Sequence, residues 1–231
     1  MMTVQDYLDG QIVLIDKPLG WTSFQVVNKV RWLIRKQFDL KKIKVGHAGT
    51  LDPLATGLLI LCTGKFTKKI DTFQAQIKEY TGSITLGATT PSYDLETEID
   101  ESFPLTDITS EMIEATTPQF LGEIQQQPPV FSALKKDGKR LYEYARSGEA
   151  VDIPSRTVTI SEFEISQIEL PRVDFRIVCS KGTYIRSLAH DFGKALDNGG
   201  HLSALRRTKI GNFDVQHAIS IENFEKNIKE S

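Results

Sequence analysis

Two cysteines in 231 residues are too few for a disulfide framework, and neither has the close Cys or His neighbours that zinc sites use. Cys62 and Cys179 each lie in apolar, strand-like sequence, where a thiol serves as a small hydrophobe. The four histidines, His47, His190, His201 and His217, are scattered, so no metal is expected. No apolar run is long enough to span a bilayer. The N-terminus, MMTVQDYLDG, lacks the basic, apolar and small-residue succession of a secretory signal. A cytosolic enzyme or binding protein is the expectation. No repeat or low-complexity linker breaks the chain, so a single mixed domain over 1–231 is expected, with antiparallel strands and peripheral helices.

Hydrophobic residues at 40% and charged residues at 25% suit a globular protein with a sizeable core. The net charge of -2 conceals a segregation. Lys29, Arg31, Arg35, Lys36, Lys41, Lys42 and Lys44 face only Asp39 in their stretch, and Arg206, Arg207 and Lys209 form a later basic group. Asp94 to Glu114 holds eight acids and no Lys or Arg. Such a division is the electrostatic footprint of a polyanion binder, and equally of ordinary solvated faces.

The centre of the chain is Val45 to Gly64, VGHAGTLDPLATGLLILCTG, a polar loop that gives way to an apolar run. Pro53 fixes its own backbone and pushes Asp52 towards an extended conformation. Leu58 to Cys62 reads as a buried strand or a buried helix segment. A carboxylate on a stiff loop tied to such an element has the form of a presented side chain. Asp before Pro is also common turn chemistry, so the residues alone leave a capping role open.

Ile12 to Ile15 reads as a strand ending in an Asp16 to Gly20 turn. Thr22 and Gln25 have capping-box spacing ahead of Val26, Val27, Val30, Leu33 and Ile34 on one helical face. Lys65 to Gln74 has helical character, with Ile70 and Phe73 expected to be buried. Tyr80, Ile84 and Leu86 share one strand face, and Ser92 to Asp107 reads as a surface loop. A helix from Ser110 should end near Pro118. The Gln/Pro start of QQQPPVFSALKKDGKRLYEYARSG reads as irregular, and its interleaved cations and rings suit an RNA-contacting insertion at about 125–150 as well as an amphipathic helix. Val158 to Leu170 and Val173 to Cys179 look like strands. Thr183 can cap a helix carrying Ile185, Leu188, Ala189, Phe192 and Leu196. Beyond Ile221 a frayed polar tail is expected.

GHAGTLDPLATGLL, KEYTGSITLG, SALKKDGKRLYEYARSG and CSKGTYIRSLAHDFG, in this order, resemble the motifs of the bacterial tRNA pseudouridine synthase B family. The DKP turn at Asp16 to Pro18 and the LRR at Leu205 to Arg207 extend the match over nearly the whole chain. The resemblance implies an α+β pseudouridine synthase fold: a long mixed, mainly antiparallel sheet with flanking helices and a central active-site cleft. It implies that uridine 55 in the tRNA T-loop is flipped out and isomerised to pseudouridine. Asp52 is then the nucleophile, Arg186 the arginine that pairs with it, and Tyr184 the tyrosine over the target base. Tyr80 stacks on the uracil, Leu205 packs at the pocket floor, His47 braces the vacated space and Lys135 closes over the T-loop. No cofactor or metal is implied. The partner is the T-arm of tRNA, with no membrane and no obligate protein partner, and the protein is expected to be a monomer in the cytoplasm. Many relatives continue into an additional RNA-binding domain; no complete one is expected here, with weaker and more salt-sensitive tRNA binding as the consequence. Two rival readings are a tRNA-binding or folding chaperone on the same scaffold and a glycoside hydrolase, which needs a second catalytic acid.

Overall fold

The computed structural model describes residues 2–230 except 133, 137, 148 and 150. The elements in order are α1 (Val4–Asp9), β1 (Ile12–Lys17), α2 (Ser23–Gln37), β2 (Val45–His47), β3 (Ala55–Thr63), α3 (Ile70–Gln74), β4 (Lys78–Leu86), β5 (Ala88–Thr89) and β6 (Glu101–Ser102). After them come α4 (Ser110–Thr116), β7 (Gly122–Gln126), β8 (Lys135–Lys136), β9 (Lys139–Arg140) and α5 (Leu141–Ser147). The last are β10 (Arg156–Glu169), β11 (Arg172–Cys179), α6 (Ile185–Ala195), β12 (Gly200–Ile210), β13 (Phe213–Asp214) and α7 (Ile221–Lys229). A nine-stranded sheet runs β1-β3-β12-β4-β11-β10-β7, with β13 beside β12 and β2 beside β3. Its β12–β3 pairing is parallel, while β1–β3, β10–β11, β10–β7, β12–β13 and β2–β3 are antiparallel. This is the α+β, mainly antiparallel architecture that the motifs imply. Among the described residues no helix is long and apolar enough to cross a membrane.

The chain forms two compact units, Met1–Tyr80 with Leu205–Ser231, and Thr81–Ala204. In the first, β3 explains its unbroken apolar run by being buried on both faces. Leu59 and Leu61 join a core with β1, α2 and α7, while Leu58, Ile60 and Cys62 join a second cluster with Ala48 and Ile210. Burial pushes the Cys62 thiol up to about 11, as suits a packing residue. The capping box of α2 is present, Thr22 accepting from the Gln25 N–H and Gln25 from that of Thr22, an arrangement worth about 1 kcal/mol. All five apolar positions expected on its inner face are buried. Ile70 and Phe73 are only half-buried, packed against the second cluster.

The expected frayed tail is instead α7. Ser220 accepts a bond from the Asn223 N–H, and Ile221, Phe224 and Ile228 place an apolar stripe in the first core. Each such burial contributes about 1.5–3 kcal/mol, enough to hold a helix that is polar on its other face.

In the second unit, β7, β10 and β11 form an antiparallel run. Phe120, Phe163, Phe175 and Phe192 pack there in tilted and edge-on pairs with ring centroids 5.4–6.4 Å apart, the spacing that aromatic quadrupoles favour. Gln125 and Gln126, expected to be irregular, are the end of β7. They pair with Thr157 and Arg156. The acidic segment is not all surface, since Ser92 and Asp94 are buried.

Candidate active site

In the first unit, the segment around Asp52 is a loop between β2 and β3 whose carbonyls from Gly49 to Pro53 are all bonded. The Gly49 and Thr50 carbonyls accept from the Arg207 guanidinium at 3.1 and 3.4 Å. The Leu51 carbonyl accepts from the Ser23 hydroxyl at 3.0 Å, and the same hydroxyl accepts from the Leu51 N–H at 2.8 Å. The Asp52 carbonyl accepts from the Ala55 N–H at 3.1 Å, and that of Pro53 from the Gly20 N–H at 2.8 Å. Lys17 adds a 3.4 Å bond to the Pro53 carbonyl. Where the loop is buried, as at Leu51, such groups must be paired. Five successive carbonyls, from Gly49 to Pro53, are thus engaged.

Two buried cations carry much of this work. Arg207 is 1% exposed and also donates through Nε to the Leu58 carbonyl at 2.8 Å. The parallel register sets it against Gly57. There only glycine fits, because φ is +103° and a Cβ would lie 2.3 Å from the Arg207 carbonyl oxygen. Lys17 is fully buried, and its ammonium donates to the carbonyls of Pro18 at 3.0 Å and Trp21 at 2.5 Å besides Pro53. Burial pulls its pKa down to about 8, opposed by the Asp52 charge and reinforced by Arg207.

The other expected residues of this unit take definite positions. Leu205 pairs with Ala55 across the parallel ladder, three positions after Asp52, and is half-buried. Tyr80 is buried on β4, next to Glu79, which accepts the Thr208 hydroxyl at 2.8 Å. His47 ends β2 opposite Leu61. Burial holds its imidazole below the usual histidine range, and its buried Nδ1 has no hydrogen-bond partner among the described residues.

In the second unit, Tyr184 and Arg186 open α6. Tyr184 is the N-cap, in place of the expected Thr183, whose hydroxyl instead donates to the Ser180 carbonyl at 3.0 Å. Gln126 brackets Tyr184: its Oε1 accepts the Tyr184 N–H at 2.8 Å and its amide donates to the Tyr184 carbonyl at 3.0 Å. The Arg156 guanidinium lies over the Tyr184 ring at 5.3 Å. Arg186 is 3% exposed, with Nε 3.6 Å from Asp94 Oδ2 and a bond to the Ser92 carbonyl at 3.3 Å. The other Asp94 oxygen accepts the Glu96 N–H at 2.9 Å. Lys135 lies in β8, and its side chain falls outside the described residues.

A family model for the TruB family pseudouridylate synthase N-terminal domain matches residues 35–185, and one for the tRNA pseudouridylate synthase B C-terminal domain matches residues 186–231. The tRNA pseudouridine synthase B of Flavobacterium johnsoniae is 64% identical over 229 residues, covering 99% of this chain and all of that one. The chain belongs to the tRNA pseudouridine synthase B family. Its relative in Phocaeicola vulgatus is 53% identical over 219 residues, covering 95% of this chain and 93% of that protein. Among solved structures, a chain of a Cbf5–Nop10–Gar1 complex is 30% identical with a TM-score of 0.72, covering 97% of this chain, which spans 56% of that one.

Members of the tRNA pseudouridine synthase B family are isomerases that modify tRNA, and this chain is one of them. The matched N-terminal segment contains Asp52, Tyr80 and Tyr184; the C-terminal one begins at Arg186 and contains Leu205. Sequence reasoning gave no roles to Lys17, Arg207, Asp94 or Gln126, which hold the named residues in place. Lys17 had a signal: period two puts it on the same strand face as Val13 and Ile15, and the three alternate as buried positions.

Proposed function

We propose that this chain isomerises uridine 55 in the T-loop of tRNA to pseudouridine. The observation that carries the reading is Asp52 on a loop whose carbonyls from Gly49 to Pro53 are all bonded, in a member of this family. A carboxylate so mounted can form and then release a covalent adduct. The uridine leaves its stack to reach it, the bond from C1′ to N1 breaks, and the bond from C1′ to C5 forms. C5 loses its proton and N1 gains one, so the product is an isomer and no cofactor is consumed.

Asp52 is the nucleophile, Tyr184 takes the C5 proton, and Arg186 is the arginine that pairs with the nucleophile. Tyr80 stacks on the uracil and Leu205 packs beside it. His47, a neutral ring, fills the space the base vacates, and Lys135 closes on the T-arm. The protein acts as a cytoplasmic monomer with no obligate protein partner.

The test uses unmodified tRNA carrying tritium at uridine C5. One equivalent of tritium is released per tRNA, and a transcript with cytidine at position 55 releases none. Release that persists without uridine 55 overturns the site assignment. Tight binding without release favours the chaperone, and liberated uracil favours the hydrolase.

A further inference from the structure

The loop that faces Arg186 contains a feature that the catalytic assignments do not use. Tyr93 has φ +64°, the left-handed region that costs a bulky side chain strain and persists only where its surroundings over-determine it. Its N–H donates to the Thr90 carbonyl at 3.0 Å and its carbonyl accepts from the Leu202 N–H at 2.9 Å. Its ring stacks on His190, with centroids 4.0 Å apart and planes 14° from parallel.

His190 lies four residues after Arg186, hence one turn along the same face of α6. Its buried Nδ1 has no hydrogen-bond partner among the described residues, so no bond at that nitrogen fixes the ring. The residues on either side of Tyr93 both turn to Arg186, Ser92 through its carbonyl and Asp94 through its carboxylate. Residues before and after an extended Tyr93 would diverge; the left-handed turn is what brings both to one guanidinium. The loop is thus tied to two successive turns of α6.

We propose that Tyr93 and His190 form a stacked clamp that positions Asp94 and the Ser92 carbonyl on Arg186, and through Arg186 sets the rate of isomerisation. The pair consists of positioning residues and need not touch the substrate. The inference rests on the proposed catalytic use of Arg186. Burial and the neighbouring Lys194 hold the His190 imidazole below its usual range, so the clamp is a neutral ring on a phenol near pH 7, and another flat ring can replace either member.

Tyr93→Gly is the discriminating variant, because glycine accepts φ +64° without strain and removes only the ring. With tritium release as the assay, Tyr93→Gly and His190→Ala each lower kcat about tenfold at an unchanged KM, the scale on which a lost ring stack acts. The double variant is no slower than either single one, as shared function requires. Tyr93→Phe and His190→Phe restore kcat to within about twofold. A merely structural role predicts another pattern: Tyr93→Gly lowers Tm while kcat of the folded protein stays at the wild-type value. That pattern, additive losses, or failure of the Phe variants to restore the rate overturns the clamp. Arg186→Met serves as the reference. If it leaves kcat unaltered, the catalytic use of Arg186 fails; if it abolishes turnover while Tyr93→Gly does not slow it, the clamp alone fails.

Discussion

Between Gly49 and Pro53 the chain is held by its main chain, with donors from Arg207, Ser23, Ala55, Gly20 and Lys17 on five successive carbonyls. Around Arg186 the holding groups are side chains: the Asp94 carboxylate on the guanidinium, the Gln126 amide on Tyr184 and the ring of His190 under Tyr93. The first arrangement holds the loop through its backbone carbonyls. The second fixes the Arg186 guanidinium itself and brackets the Tyr184 backbone, so both depend on a few polar partners. Losing Arg207 in the first unit should therefore show as lost stability, whereas losing a polar partner in the second should misplace Tyr184 or Arg186 in a folded protein.

The largest effect expected is from Arg207→Met. It leaves the carbonyls of Gly49, Thr50 and the buried Leu58 without this donor, at a cost of about 3–5 kcal/mol for three bonds to a charged donor, seen as a lower midpoint in urea unfolding. Gln126→Leu should cost only about 1–2 kcal/mol but reduce kcat more than it reduces tRNA affinity, because both bonds it loses are to Tyr184. If Arg207→Met were no less stable than Gln126→Leu, the contrast between the units would fail.

Lys17 sharpens the same contrast through pH. Its pKa is about 8 in the folded chain against an ordinary 10.5, so between these values the unfolded chain binds more proton and this group's contribution to stability rises with pH. The neutral amine, however, has two donors for three carbonyls, and the 3.4 Å bond to Pro53 is the one to go. Activity should fall as pH rises through about 8 with no matching fall in Tm, and Lys17→Met should lack that alkaline limb in its rate profile. The smallest effect is reserved for the exposed pair Lys65–Asp9. Lys65→Met should change stability by less than about 0.5 kcal/mol and leave turnover unchanged.

Local rules account for much of what could be read before the fold was in hand. The Thr22 box, the two-faced β3 and the alternation of β11 depend on neighbours a few residues away. What could not be read lies in long-range main-chain bonding. Arg207 reaches Gly49 across 158 positions, and Asp94 meets an arginine on α6, where composition marked only one more acid in an acidic run. Gln126 looked like part of a proline-broken stretch because the strand it ends becomes regular only through pairing with β10. The α7 stripe was passed over as a tail, since Ile221, Phe224 and Ile228 are too few to signal a helix until a core exists to receive them. The role proposed for Asp52 is legible only through motif resemblance; the donors that hold its loop, Arg207, Ser23 and Lys17, required the structure.

Asp52→Asn provides the most direct test, because it keeps the size of the side chain and every main-chain bond of the loop. In single-turnover tritium release with tRNA in excess of its Kd, the account predicts a loss on the order of 10⁴-fold or more, with tRNA affinity and Tm kept near wild type. Release by Asp52→Asn at a rate within about tenfold of wild type would contradict it.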